Sequence, residues 1–219
     1  LPTGGGKSIT FQVPALMSPG LTLVITPLVS LMKDQVDNLR KRHIGAAYLH
    51  SGMSRHESQY AFERCAQGRV KMLYVAPERA ASDNFLMRVT GWNVSNIVVD
   101  EAHCISQWGY DFRPSYMRLT LLREKFPLAP VLALTASATP KVTADIARRL
   151  EMRSPRLFSL SFTRDNISFL VRHTEDKYGK LVDILRATQG STIVYTRSRR
   201  KAVDIAAMLC RDGFEALFY

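Results

Sequence analysis

Cysteine is scarce in this sequence: three in 219 residues, at Cys65, Cys104 and Cys210, with no CxxC pair among them. That spacing excludes a disulfide framework and a paired-cysteine zinc site, and a reducing intracellular compartment becomes the expectation. Long apolar runs are missing as well. A membrane-spanning helix needs about 18 or more consecutive apolar residues, and Lys7 and Lys33 interrupt the most hydrophobic stretch of the first fifty positions. Acidic residues are in deficit, 19 against 30 lysines and arginines, which leaves a formal charge of +11. Such an excess attracts polyanions and makes nucleic acid a candidate partner, with a generic soluble basic domain as the plain alternative. Both the first 160 residues and the remainder share it, so a basic groove between two parts fits better than a basic tail. Low-complexity tracts and short-period repeats are also lacking. The 46% of residues that are hydrophobic suffice for one or two buried cores.

What is present alternates. Short β-branched runs at Leu21–Thr26, Ala46–Leu49, Lys71–Val75, Ile97–Asp100, Val131–Thr135 and Arg156–Leu160 read as strands. Between them lie helical periodicities over Leu28–Arg42, Arg55–Ala66, Pro114–Lys125 and Pro140–Leu150, with Pro114 and Pro140 suited to first helical turns. Strands alternating with helices predict a doubly wound α/β domain with a parallel sheet. Ser154-Pro155 suggests a hinge, giving a first domain over 1–155 and the N-terminal part of a second over 156–219. In the second, strands are expected at Ile167–Arg172, Thr192–Thr196 and the final apolar run, with helices at Lys177–Ala187 and Arg199–Asp212. The chain opens at Leu1 directly on a Gly-rich loop and closes on the strand-like run to Tyr219, so it reads as a fragment.

Thr3-Gly4-Gly5-Gly6-Lys7-Ser8 opens a helical stretch. Successive glycines let backbone N–H groups approach phosphate oxygens, and the helix N-terminus adds partial positive charge. In this reading Lys7 bridges the β- and γ-phosphates and the Ser8 hydroxyl ligates Mg²⁺. The strict pattern asks for Gly where Leu1 stands, and an ordinary Gly-rich turn is the alternative. A second signal follows about ninety residues on: Asp100-Glu101-Ala102-His103 after the apolar Ile97-Val98-Val99. A buried strand delivers Asp100 to the sheet edge where open α/β folds bind ligands. Asp100 would then hold Mg²⁺ and Glu101 would orient or deprotonate the attacking water. His103 alone is weaker, since a lone histidine more often satisfies a local hydrogen bond.

These residues together resemble a superfamily 2 helicase, and the segments between them resemble the RecQ family of DNA helicases. Residues 1–8 are similar to that family's motif I, Thr26 to Val36 to motif Ia, and Tyr74-Val75-Ala76-Pro77-Glu78-Arg79 to motif Ib. The most specific stretch is Asp100 to Pro114, DEAHCISQWGYDFRP, where motif II runs into an aromatic-rich segment. Ala133 to Thr139 is similar to motif III and Ile193 to Arg199 to motif IV. The resemblance implies RecA-like domains, an ATP- and Mg²⁺-dependent 3′-to-5′ helicase acting on single-stranded and partially duplex DNA in repair and recombination, and no membrane association. Thr3 to Ser8 would bind nucleotide, Ser8 and Asp100 the metal, and Lys7, Asp100, Glu101 and His103 would serve catalysis. Pro27, Ser30, Arg79, Gln107, Trp108, Phe112, Arg113, Thr135 and Ser137 would contact nucleic acid or couple it to hydrolysis. The resemblance places the protein in a bacterial cytoplasm or nucleoid, or in a eukaryotic nucleus. It also puts the adenine-gripping segment before Leu1, and motifs V and VI, with an arginine finger, after Tyr219.

Chemistry supports the aromatic segment independently. Trp108, Tyr110 and Phe112 lie two apart beside Arg113, and bases stack on aromatic faces for about 1–3 kcal/mol each. Core packing of these rings is the alternative. Pro27 to Ser30 marks a strand-to-helix junction where free N–H groups and Ser30 can hold a phosphate, or simply cap the helix. The Arg197 to Lys201 cluster reads as phosphate-binding or as a solvated helix start. Two rivals stand beside the DNA helicase: an RNA helicase of the DEAH-containing class, which the Ser137-Ala138-Thr139 spelling keeps open, and a non-hydrolysing DNA-binding fragment.

Overall fold

A computed structural model describes residues 6–109, 111–160 and 166–219. The chain divides into two compact units, 1–164 and 165–219.

The larger unit is built on five parallel strands, β1 (Leu21–Ile25), β2 (Ala46–Leu49), β3 (Met72–Val75), β4 (Val94–Val99) and β5 (Val131–Ala133), in the order β2-β3-β1-β4-β5. Strand side chains alternate between two buried layers, which is why these runs are apolar throughout. Val24, Met72, Tyr74 and Val98 face one layer, where they meet Phe11 and Ala15 of helix α1 (Lys7–Met17) and Met32, Val36 and Leu39 of α2 (Val29–Lys41). Leu23, Ile25, Leu73, Val75, Ile97 and Val99 face the other. There they pack on Phe62 of α3 (Arg55–Ala66), Phe85 of α5 (Asp83–Arg88), Leu122 of α6 (Thr120–Lys125) and Val142 and Ile146 of α7 (Pro140–Arg149). Between β3 and α5 lies one turn of helix, α4 (Pro77–Ala80).

Local signals set several of these boundaries. Ser54 and Glu57 form a reciprocal capping box at the start of α3, which satisfies two otherwise unpaired N–H groups. Thr139 caps α7 ahead of Pro140 by accepting from the Val142 N–H.

Elsewhere the structure departs from expectation. Pro114 starts a 3₁₀ helix over Pro114–Leu119 that becomes α6 only at Thr120. Arg156–Leu160 forms no strand and is exposed. In the smaller unit, helices α8 (Lys177–Ala187) and α9 (Arg199–Arg211) form as expected, with Val182, Ala206 and Leu209 buried and the Tyr178 hydroxyl donating to Asp212 at 2.8 Å. None of the three strands expected there forms among the described residues. Their apolar side chains lie open, Ile193 at 78% and Tyr195 at 91% exposure. Propensity without a hydrogen-bonded neighbour does not make a strand.

Candidate active site

Parallel sheets bind ligands beyond the carboxyl ends of their strands, and the sequence-predicted residues gather at that edge. The Asp100 N–H donates to the Ile25 carbonyl at 2.8 Å, so the β1–β4 ladder continues one residue past β4 and fixes the start of the acidic pair. Glu101 then takes a left-handed conformation, φ 46° and ψ 45°. For a non-glycine residue this costs on the order of 1 kcal/mol, and such strain clusters at functional centres. The turn leads into a 3₁₀ helix, Ala102–Ile105. Its first N–H donates to the Leu134 carbonyl at 2.8 Å, tying the acidic segment to the loop after β5.

The side chains continue this link. Lys7 Nζ lies 3.6 Å from Glu101 Oε1, and the second Glu101 oxygen lies 3.3 Å from His103 Nδ1. His103 Nδ1 is also 2.9 Å from the Thr135 hydroxyl, which accepts from the Ser137 N–H. A polar chain thus runs from Lys7 through Glu101 and His103 to Thr135 and Ser137. Asp100 accepts from the Glu101 N–H at 3.0 Å. Burial, joined by the charge of Glu101, pushes its carboxyl above the usual carboxylate range, against the opposing pull of Lys7. Two adjacent carboxylates facing one lysine are short of positive charge. An all-oxygen, partly buried donor set of this kind suits a hard cation such as Mg²⁺.

Gly6 precedes α1 with φ 75°, a backbone conformation that favours glycine, and among the described residues a Cβ built there would meet nothing within 4 Å. Ser8 Oγ accepts from the Gln35 side chain at 3.0 Å, and Gln12 donates to Gln35 at 2.9 Å. Thr3, Gly4 and Gly5 lie outside the described residues, as does Tyr110 of the aromatic segment.

The aromatic segment folds back on the 3₁₀ helix: the Arg113 N–H donates to the Cys104 carbonyl at 2.9 Å. Gly109 is required, since a Cβ there would sit 2.6 Å from the His103 carbonyl oxygen. Trp108 is 63% exposed, with Lys141 Nζ 3.1 Å from its ring centroid. The ring borders a hollow of about 410 Å³ shared with Gly109, Ala136, Ser137, Ala138 and Val142. Phe112 is half-buried, Gln107 exposed, and Arg113 is ion-paired to Asp111 at 3.0 Å. The hydrogen bonds between the two hold the Arg113 guanidinium above its usual range and the Asp111 carboxyl below its own.

Three predicted contacts sit apart from this polar chain. Pro27 precedes Leu28, the N-cap residue of α2, which makes no side-chain cap hydrogen bond, and Ser30 is exposed within the first turn. Arg79 lies in α4, with its Nε buried and unpartnered among the described residues.

Sequence reasoning passed over Gln35, Tyr116, Lys141 and Asp145. The Tyr116 hydroxyl donates to the Asp100 carbonyl at 3.0 Å. Asp145, buried in α7, pairs with Arg148 and Arg149 and accepts from Ser106. Spacing signals none of these; only an aromatic or acid on the inner face of a short helix hints at them.

Residues 1–146 match the DEAD/DEAH box helicase family model. The chain belongs to the DEAD/DEAH box helicase family. Among curated proteins, this DEAD/DEAH box chain is 43% identical over 221 residues to the ATP-dependent DNA helicase RecQ of Pasteurella multocida, covering 99% of the chain and 34% of that protein. It is 42% identical to the ATP-dependent DNA helicase RecQ of Bacillus subtilis, covering 99% of the chain and 37% of that protein. The chain therefore spans about a third of the length of these relatives. In fold it is similar to the crystal structure of the DUF1998 helicase MrfA, with TM-score 0.68 at 18% identity over 96% of the chain and 35% of that structure. Helices long and apolar enough to cross a membrane are absent among the described residues.

Proposed function

We propose that the protein is a RecQ-type helicase that couples Mg²⁺-ATP hydrolysis to 3′-to-5′ movement along single-stranded DNA and to duplex opening in repair and recombination. The larger unit serves as the first RecA-like domain and the smaller as the beginning of the second. One observation carries the reading: the Lys7–Glu101–His103–Thr135 polar chain, which connects a phosphate-binding lysine, a candidate base and the loop beside Trp108.

The chemistry follows from the charges. Lys7 pairs with Glu101 at 3.6 Å. Lys7 would turn from Glu101 to the β- and γ-phosphates, which are stronger acceptors, and Glu101 would then be free to take a proton from the attacking water. Asp100 and Ser8 would hold Mg²⁺, which supplies charge neutralisation at the phosphates when bound. His103 keeps Glu101 oriented and relays displacement of the Thr135–Ser137 loop. Trp108 offers its ring to a base, while Pro27, Ser30, Arg79, Gln107, Phe112 and Arg113 meet the strand. Duplex opening costs about 1.4 kcal/mol of stacking per step, so movement has to draw on hydrolysis or on protein contacts.

The test compares nucleic acids. Single-stranded DNA raises ATP hydrolysis by the purified protein more than single-stranded RNA of the same sequence does. Equal or greater stimulation by RNA would favour the RNA-helicase rival.

A further inference from the structure

Next to the catalytic pair, on the far side of the His103 ring, three donor atoms of different kinds converge. His103 Nε2 lies 3.8 Å from Cys104 Sγ, and that sulfur lies 3.7 Å from Asp111 Oδ2. The three ligand atoms lie within 4.8 Å of one another. We propose that His103, Cys104 and Asp111 form a binding site for a thiophilic divalent cation of the zinc and cadmium class.

Two of the three donor separations come near the geometry of that class. In a tetrahedral sphere with zinc–ligand bonds of about 2.0–2.3 Å, neighbouring donors stand roughly 3.5 Å apart. The two sulfur-centred separations need to close by a few tenths of an ångström to reach it, and the histidine–aspartate separation, which lies within 4.8 Å, by up to about 1.3 Å. Mixed thiolate, imidazole and carboxylate donors select soft or borderline ions, whereas the all-oxygen pair Asp100 and Glu101 suits Mg²⁺. A metal-bound histidine turns its other ring nitrogen to a hydrogen-bond partner that fixes tautomer and orientation. Here Nδ1 already faces Glu101 Oε2 at 3.3 Å and Thr135 Oγ1 at 2.9 Å. Cys104 and His103 are buried, but the Asp111 side chain is 45% exposed and provides the entrance. Among the described residues three protein ligands would leave a fourth position for water.

Binding is a proton exchange with no redox change. The buried Cys104 S–H donates to Asp111 Oδ2, so the metal-free sulfur carries a proton. The S–H bond breaks, a sulfur–metal bond forms, and the proton leaves to solvent. Asp111 must then be shared with Arg113, 3.0 Å away. A bound cation would therefore loosen Arg113 and staple the acidic segment to the aromatic loop, which lowers stimulation of hydrolysis by DNA. That consequence rests on the function proposed above; the site itself does not.

Cadmium titration of the purified protein tests the site through the ultraviolet thiolate-to-cadmium charge-transfer band, alongside ATP hydrolysis with and without DNA. The wild type should show a saturable band that Cys104→Ser abolishes and that Cys210→Ser, at the exposed thiol, preserves. Asp111→Asn should weaken the affinity of the saturable component about tenfold or more. Absence of the band in wild type, or its persistence in Cys104→Ser with circular dichroism showing a folded chain, would overturn the site. If Cys104→Ser fails to fold, unchanged affinity in Asp111→Asn would overturn it instead. Saturation without loss of DNA stimulation would overturn the stapling while leaving the site in place.

Discussion

Tyr116→Phe isolates one hydrogen bond at the base of the site. Tyr116 is fully buried in the 3₁₀ helix Pro114–Leu119, and its hydroxyl donates to the Asp100 main-chain carbonyl at 3.0 Å. Phenylalanine keeps the ring and its packing among Ala102, Cys104, Ile105 and Leu119, so the change removes a single oxygen. Losing a buried hydrogen bond and leaving its carbonyl partner underused costs about 1–2 kcal/mol. For a unit of this size, 1 kcal/mol corresponds to roughly 2–4 °C, so the melting temperature should fall by about 4 °C. Ser115→Ala is the control: that hydroxyl bonds Glu78 on the surface, and surface changes of this kind stay within about 0.5 kcal/mol. Because the lost bond steadies Asp100, the residue proposed to hold Mg²⁺, ATP turnover should fall in Tyr116→Phe more than in Ser115→Ala. Thermal denaturation and steady-state hydrolysis of the three proteins decide it. Equal melting temperatures for Tyr116→Phe and wild type would refute the hydrogen-bond argument.

Asp145 should govern acid stability. Against burial, which alone would raise its carboxyl, bonds from Arg148, Ser106 and Arg149 hold it below the usual 3.8. A group depressed in the folded state adds stability above its unfolded pKa, and that stability is lost as pH falls through the folded value. Asp145→Asn should therefore cost about 2 kcal/mol at neutral pH, with the gap to wild type closing below about pH 4; a gap that is constant with pH in thermal melts would contradict this. Trp108→Ala should weaken single-stranded DNA binding roughly tenfold, the worth of one stacked base, as read by fluorescence anisotropy of labelled DNA; an unchanged dissociation constant would return Trp108 to a structural role. Lys141→Ala removes the cation from the Trp108 face and should alter the fluorescence of that exposed indole, whereas an unchanged spectrum would show that the pair does not persist in solution.

The central strands were legible because each is a short apolar run buried on both faces, and β2 and α3 have the predicted ends. The Asp100–Glu101 pair was legible for the same reason: an apolar strand that ends in two carboxylates delivers them to the sheet edge. Helix α5 was missed, although Ser82 caps it, because six residues are too few to show periodicity. The strands expected around Ile167 and Ile193 show the opposite failure, since composition records propensity but not the partner a strand requires. Within the site, the role of Lys7 could be expected from its loop, but its 3.6 Å pairing with Glu101 joins residues 94 positions apart. Tyr116, Gln35 and Lys141 act through contacts of the same long-range kind, which no local spacing encodes.

The account stands most directly on Glu101. Glu101→Gln keeps the size of the side chain and leaves Lys7 and Asp100 in place, while removing the carboxylate that would accept the proton of the attacking water. Measured together on the purified protein, ATP binding and DNA-stimulated hydrolysis should separate: a nucleotide dissociation constant near that of wild type, with turnover lower by about 10²–10⁴. Turnover equal to wild type with binding intact would contradict the assignment of Glu101 as the base.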